Sequence, residues 1–591
     1  MKRTPEGQLE LAWMGKGLGL ISSEDGKYSY AWVDKADVRV REVRSIETVE
    51  TIGDDAGGNL LIHGESGDAL RSLLTIPEYA KRYRGKVKLA YIDPPFNTSK
   101  SFDHYEDQLE HSVWLTLMQD RIRMLAQMLH PEGSIWVHLD QVEVHRMRVL
   151  LDEELGADKF VAAIAWEKDK GRRNDTDVSS AYDTILVYAP LGKRWKGVRN
   201  LLPRGDQNLR YKNPDNDPRG PWLQGDNGTT KSGTEAARFE VELPSGRVVT
   251  PGGRYWGFNP EQLEQARAEG RVWFGQKGDS LPVIKRYLTD VQDGVVPRDW
   301  WTADEVGTNQ DAKRDHLNKM FPDVENPFDT PKPEKLLARI ISIATNPGDL
   351  VADVFGGSGS TAAAAHKMGR RWLLVELKGS TIDTFTKPRL TKVVSGDDPG
   401  GITKSRVRVA SETLPKGMTA EEAALFQSLL RKVVADPLTA GAGKATLKLL
   451  RDATRTKWDS TLLWEGGGGF TVARLASSMY EVDDETGDVY LSTAATNGAW
   501  SKSIAGQLKF TLTPDHPVFA GSRGRQRLAV VDGVVDEHVV NAVVSALGEK
   551  ERAVVVGKAV LPEAEQLLRE LSPGSRVRHA PDQVFPKGII S

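Results

Sequence analysis

Cysteine is absent from all 591 residues, which removes disulfide scaffolds, thiolate zinc sites and cysteine nucleophiles from consideration. Long apolar runs are missing as well: nothing approaches the roughly 18 to 20 uninterrupted apolar residues of a membrane span. The opening residues, MKRTPEGQLELAW, place no apolar block behind their two basic residues, so no secretory signal is expected and the cytoplasm is the default compartment. There is no surplus of positive charge either, since 79 Lys and Arg face 82 Asp and Glu for a net of -3. A protein that coats nucleic acid through bulk charge is usually more basic, so any DNA-binding surface has to be local. The 11 His residues are scattered without metal-ligand spacing, and no metal is expected. What the chain does have is 39% apolar residues and 15 Trp, enough for a folded protein, and a length that predicts about two to four domains.

Short apolar runs alternate with amphipathic helical stretches through the first third of the chain. Residues 1–57 read as a polar extension. GNLLIHGESGDALRSL, from Gly58 to Leu73, is a strand, a turn and a helix start, and VKLAYID, from Val87 to Asp93, is a buried strand. A helix from Val113 to Leu129 stops at His130-Pro131-Glu132-Gly133; strand Ser134 to Asp140 and helix Val142 to Leu155 follow. This alternation predicts an α/β fold with a mainly parallel sheet. From 161 to 327 the pattern dissolves into Gly, Pro, Asn, Arg and Trp, which predicts an inserted domain, because a structureless loop of that length is improbable. Alternation resumes over 328–395 with helix Pro333 to Ala344, strand Leu350 to Phe355, helix Thr361 to Met368 and strand Trp372 to Glu376. Residues 396–591 read as a further α+β domain, helical from Ala420 to Arg455 with an interruption near Pro437, and ending in a βα-like unit that starts at Ala553.

Two loops carry the chemistry. DVFGGSGST, Asp353 to Thr361, joins a strand to an alanine-rich helix; its glycines let the backbone turn tightly against a ligand, and the helix start offers free N–H groups. Glu376 ends the next strand, where a carboxylate can accept from ribose hydroxyls. The loop lacks the Lys-Ser/Thr ending of an NTPase loop and the spacing of a dinucleotide fingerprint, and by itself it reads equally as an ordinary strand-to-helix turn. Asp93-Pro94-Pro95-Phe96 lies at the carboxyl end of the buried strand, where open α/β sheets place ligands. The prolines remove two donors and leave rigid carbonyl acceptors beside the Asp93 carboxylate; Phe96 adds a flat apolar face. Such a corner suits an exocyclic amino group whose hydrogens must be held while its lone pair faces a methyl donor. The plainer alternative is a proline turn capped by Asp93.

With both loops in this order, the chain resembles the amino-methylating DNA methyltransferases in which DPPY/F precedes FxGxG, here separated by roughly 260 residues. It is most similar to the methylation (Mod) subunits of type III restriction-modification systems. The likeness spans about 58–380 and takes in LLIHGESGDAL, YIDPPFNT, GSIWVHLDQVEVH, NPDNDPRGPW, VGTNQDAK, FDTPKPEKLL and NPGDLVADVFGGSGSTA. The resemblance implies a Rossmann-like methyltransferase sheet with a target-recognition insert, and S-adenosyl-L-methionine as cofactor. It puts the cofactor loop on Asp353, Phe355, Gly357 and Gly359, the ribose acid on Glu376, the lysine-proline segment on Lys332 and Pro333, and an adenine contact on Glu65, which replaces the usual Asp. Phe96 replaces the commoner Tyr. Relatives acting on cytosine N4 more often carry Ser where Asp93 stands, which favours adenine N6. A base must then be flipped out of the duplex to reach the corner. The implied partners are double-stranded DNA, a second copy of the chain and a restriction translocase/nuclease subunit.

Within the insert Lys168, Lys170, Arg172, Arg173, Arg210, Lys212 and Arg219 are the candidate DNA contacts, set against the alternative of a solvated charged surface diluted by Asp206, Asp215 and Asp217. Trp166, Trp195 and Trp222 are expected to pack a core. Residues 396–591 carry no chemical motif and are read as an oligomerisation or docking module. Two other functions stay open at this stage: methylation of cytosine N4 or an RNA base, and a catalytically silent DNA-specificity subunit.

Overall fold

Strand β3, Val87–Ile92, buries five of its six side chains, as a strand covered on both faces must. It lies inside a ten-stranded sheet of the computed structural model, which describes residues 10–22, 30–54, 56–97, 101–102, 105–106, 110–172, 177–204, 211–223, 228–290, 294–325, 328–435, 443–483 and 485–585. In chain order the other strands are β1 (Ile46–Gly53), β2 (Leu60–His63), β4 (Leu129–Leu139), β5 (Phe160–Glu167), β6 (Tyr182–Tyr188), β7 (Trp300–Trp301), β8 (Leu350–Asp353), β9 (Arg371–Glu376) and β10 (Gly469–Leu475). Their spatial order is β7-β5-β6-β4-β3-β8-β9-β2-β10-β1. The six strands from β4 to β10 run parallel to their neighbours; β6 pairs antiparallel with β4 and β5, and β1 antiparallel with β10.

The expected α/β class is what the structure has. Helices α1 (Ser66–Thr75), α2 (His111–Met128), α3 (Glu334–Ala344), α4 (Ser360–Lys367) and α5 (Lys387–Ser395) follow the strands, and Leu70, Leu73, Trp114, Met118, Ile122 and Leu125 pack with Ala90, Ile92, Ile135 and Val137 in one core. The strand expected at Ser134 starts five residues earlier, at Leu129, so His130-Pro131-Glu132-Gly133 is absorbed into β4, with a register shift against Val87–Leu89. The sheet also reaches beyond the segments expected to form it. β1 comes from the polar N-terminal extension and β10 from the region after 396, while β5, β6 and β7 come from the stretch read as insert.

The chain divides into two compact units, 200–298 and the remainder. The smaller is built from short two- and three-stranded sheets and helix Pro260–Ala268, around Val241, Trp256, Phe258 and Leu263. In the larger unit, residues 526–579 form three parallel strands with helices Glu537–Ser545 and Pro562–Leu571, so the βα-like ending is present. The long polar helix is two helices, α6 (Ala420–Val434) and α7 (Lys444–Ala453); Pro437 lies outside the described residues. Trp166, Trp195 and Trp222 are buried with their indole N–H groups bonded to the Gly307 carbonyl, the Glu132 carbonyl and Asp215. No helix among the described residues is long and apolar enough to cross a membrane.

Candidate active site

β3 and β8 are parallel neighbours, with Ala90 opposite Ala352, and β9 lies beside β8. Their carboxyl ends therefore deliver Asp93, Asp353 and Glu376 to one edge of the sheet. Adjacent strands stand about 4.8 Å apart, so the two loops that lie roughly 260 residues apart in sequence meet by construction. They line one cavity, together with Tyr91, Phe328, Thr330, Pro331, Lys332, Thr361 and Thr381. Of the predicted residues, Asp93, Pro94, Pro95, Phe96, Lys332, Asp353, Phe355, Gly357 and Glu376 are in its wall.

The glycine loop is shaped by its backbone. Gly357 (φ 46°) and Gly359 (φ 77°) occupy left-handed conformations, and Gly359 is the N-cap of α4. A Cβ on Gly357 would sit 3.2 Å from the Phe328 ring, so a side chain there meets both backbone strain and crowding. Glu376 accepts from Gly357 N–H at 2.7 Å and Lys378 N–H at 2.9 Å, which fixes the loop to the end of β9. Gly359 does not line the cavity; its role is the turn.

The other corner is held from behind. Trp114 Nε1 donates to the Pro95 carbonyl at 2.7 Å, so that acceptor is already engaged inside the core. Lys332 Nζ donates to Asp93 Oδ2 at 2.6 Å and stands 5.0 Å from the Phe96 ring centre. Asp93 Oδ1 is buried with no partner among the described residues. Beneath Phe96 runs a buried chain that the sequence did not reveal: Tyr91 OH bonds His138 Nδ1 at 2.9 Å, His138 Nε2 approaches Asp183 at 3.3 Å, and Lys168 Nζ donates to Asp183 at 2.6 Å. The His138 and Phe96 rings are 5.9 Å apart. Burial pushes the Asp183 carboxyl up, but His138 and Lys168 outweigh it and hold it below its usual range.

Burial dominates the cofactor half. It pushes the Asp353 carboxyl up to about 8, with Asp93 and Glu376 adding repulsion and a Thr361 hydrogen bond partly offsetting it. Burial likewise raises Glu376. A cation entering this cavity favours ionised Asp353. Binding of a positively charged ligand should therefore release a proton and tighten as pH rises from about 6 toward 8, by at most about ten-fold per unit. Titration calorimetry with S-adenosyl-L-methionine in buffers of different ionisation enthalpy checks this; affinity that stays flat over that range removes Asp353 from the contact.

Two predicted cofactor residues lie elsewhere. Pro333, the N-cap of α3, lines a different cavity with Glu334, Lys335 and His316. Glu65 borders a smaller cavity that shares Phe355 and Glu376 with the main one. Its carboxylate caps α1 through Gly67 and Asp68 N–H and pairs with Arg121, which keeps it below its usual range despite burial.

The candidate DNA contacts separate in the same way. Lys168 is spent on buried Asp183 and Lys170 pairs with Asp304. Arg219 forks onto Asp217 and also donates to the carbonyls of Glu269 and Gly270, so it clamps the smaller unit together and presents no free fork. Arg172 and Lys212 are exposed; Arg173 and Arg210 lie outside the described residues. Among the described residues one group has metal-ligand types in reach, His316, Glu334 and Asp398, but Lys367 and Arg389 already neutralise its carboxylates.

The chain is similar to the Mod subunit of the type III restriction-modification enzyme StyLTI from Salmonella typhimurium, 28% identical over 57% of this chain and 57% of the relative. It is also similar to the type II methyltransferase M.EcaI from Enterobacter cloacae, 28% identical over 49% of this chain and 62% of the relative. With the DNA adenine methyltransferase YhdJ from Escherichia coli it shares 24% identity over 54% of this chain and 79% of the relative. The match spans little more than half the length of the first of these relatives. A family model described as DNA methylase matches residues 87–387, just over half of the chain and the stretch that runs from β3 through the glycine loop to Glu376, so the chain belongs to the DNA methylase family.

Proposed function

We propose that this protein transfers a methyl group from S-adenosyl-L-methionine to the N6 amino group of an adenine at a specific sequence in double-stranded DNA. The observation that carries the reading is the single cavity at the carboxyl ends of β3, β8 and β9, where Asp93, Asp353 and Glu376 converge. The residues fit the cofactor: three carboxylates suit a ligand with a sulfonium and an ammonium, and the Gly357 backbone leaves room that a Cβ would crowd. When bound, the cofactor supplies an electrophilic methyl group. In this reading Glu376 accepts from the ribose hydroxyls, and Asp353 and Phe355 face the nucleoside.

At the other corner, Asp93 Oδ1 is the open acceptor for one amino hydrogen and the Pro94 carbonyl for the second, because Trp114 occupies that of Pro95. Phe96 offers its face to the ring. The Asp93 carboxylate can carry off the proton that the amino nitrogen gives up. A paired base cannot reach this depth, so the nucleotide has to rotate out of the helix. Asp at position 93 and the likeness to a relative named as an adenine methyltransferase favour adenine over cytosine. The 200–298 unit, with Lys212, Lys231, Lys277 and Arg286 exposed, is proposed as the part that reads the sequence. The protein would work in the cytoplasm, where its DNA is.

Incubation with genomic DNA and methyl-labelled cofactor, followed by digestion and mass spectrometry of the nucleosides, should give N6-methyldeoxyadenosine. Labelled N4-methyldeoxycytidine, or no labelled nucleoside, sinks the assignment. Modification-sensitive sequencing of the same DNA would identify the site.

A second copy of the chain is proposed as a partner, with a restriction translocase/nuclease subunit in a type III arrangement. Leu425, Leu429 and Val433 recur every fourth residue along α6 and are half or more exposed, as is Leu449 on α7. Leu429→Glu should convert a dimer to a monomer in sedimentation; an unchanged mass excludes this face.

A further inference from the structure

Among its described lining residues the cavity holds three carboxylates and one cation, Lys332. That cation lies on the two features assigned to the target base. Its ammonium donates to Asp93 Oδ2 at 2.6 Å and stands 5.0 Å from the centre of the Phe96 ring, with the side chain only 5% exposed. An ammonium is an N–H donor that favours both a carboxylate and an aromatic face, as the amino group of a stacked base does. The approach to the amine seat is thus obstructed by a nitrogen of the protein itself, held on Oδ2 and beside the Phe96 ring. The match is incomplete, because Asp93 Oδ1 is buried and unpartnered, so the lysine satisfies half of what the carboxylate can accept.

A stronger partner could draw the lysine off. The amino-acid end of S-adenosyl-L-methionine carries an α-carboxylate, for which Lys332 is the only cationic partner among the described lining residues, the other charged groups being acids that repel it when ionised. We propose that Lys332 is a positioning residue with two stations. It rests on Asp93 in the free protein and passes to the cofactor carboxylate on binding, so the amine seat opens only in a loaded pocket. This rests on the cofactor reading above and adds to it an order of binding, cofactor before base, enforced by one side chain.

The test is a double-mutant cycle on the full chain, with S-adenosyl-L-homocysteine as the probe and its Kd read by calorimetry. Lys332→Met should weaken binding roughly ten-fold, the size of one charge-assisted hydrogen bond. Asp93→Asn should tighten it by roughly five- to ten-fold, since Lys332 then gives up no ionic partner. In the Lys332→Met background Asp93→Asn should have no effect. A lysine–aspartate pair that only braces the fold would weaken binding in both single variants. That result, or an equal Asp93→Asn effect in both backgrounds, overturns the two-station lysine. Lys332→Gln replaces Lys332→Met if circular dichroism shows the latter unfolded. Absence of binding in all the folded proteins, wild type included, overturns the cofactor reading itself, a separate outcome.

Discussion

Asp93→Ala should lower methyl incorporation into DNA by about 10²- to 10³-fold or more, the range seen when one preorganised polar group is removed from a reacting centre. The loss should fall on turnover and spare DNA binding, because Asp93 lies inside the cavity and not on an outer surface. Asp93→Asn keeps the shape but exchanges an acceptor for a donor and should lose nearly as much. Initial rates with tritiated cofactor, paired with a DNA-binding titration, separate the two quantities. Turnover within ten-fold of the wild type would refute the assigned role, since the Pro94 carbonyl already serves the second amino hydrogen and the Pro95 carbonyl is engaged by Trp114.

Lys367→Met should be the most damaging single change to stability. Lys367 is buried between Glu334 (2.7 Å) and Asp398 (2.5 Å), with Arg389 on the far side of Glu334 and His316 on Asp398. Removing the ammonium strands two carboxylates on one guanidinium and one imidazole, at a cost of about 3 to 5 kcal/mol. Burial pushes both carboxyls up, but the surrounding cations prevail and hold them below the usual range. A depressed carboxylate stabilises above its unfolded value, so this contribution is present at neutral pH and fades as pH falls through the lower folded value. The chain has two compact units, so the midpoint of the larger unit's own transition is the quantity to follow. A change under about 1 kcal/mol would show that the network is indifferent to losing a cation. The lesion should reach the site as well: Arg389 also donates to Ser360 at 2.7 Å, and Ser360 lines the cavity.

The parts of the site that could be read from sequence are those fixed by local rules. A carboxylate at the end of a buried strand and glycines before an alanine-rich helix announce themselves within a few residues, and Asp93, Gly357 and Glu376 are where those rules place them. What stayed hidden depends on pairings between distant residues. Lys332 with Asp93, Arg121 with Glu65, and His138 with Asp183 each join one of many acids or bases in the chain to one of many others, and nothing local selects the partner. For the same reason Lys168 and Arg219 looked like surface charge: the sequence shows a cation but not the buried carboxylate that consumes it. The edge strands were missed because β5, β6 and β7 sit amid Gly-, Pro- and Trp-rich segments whose composition overrode a short period-two signal.

The pairing of β3 with β8 also governs when the protein becomes competent during its own synthesis. The proline corner leaves the ribosome early, yet its neighbouring strand emerges only after the whole 200–298 unit has been made, and Glu376 later still. Until then Asp93 lacks both Lys332 and the wall that faces it, so the cavity is incomplete. The same geometry means that a backbone break anywhere between 200 and 298 removes no strand of the ten-stranded sheet, and two separately made pieces still contain every residue lining the cavity that holds Asp93, Asp353 and Glu376.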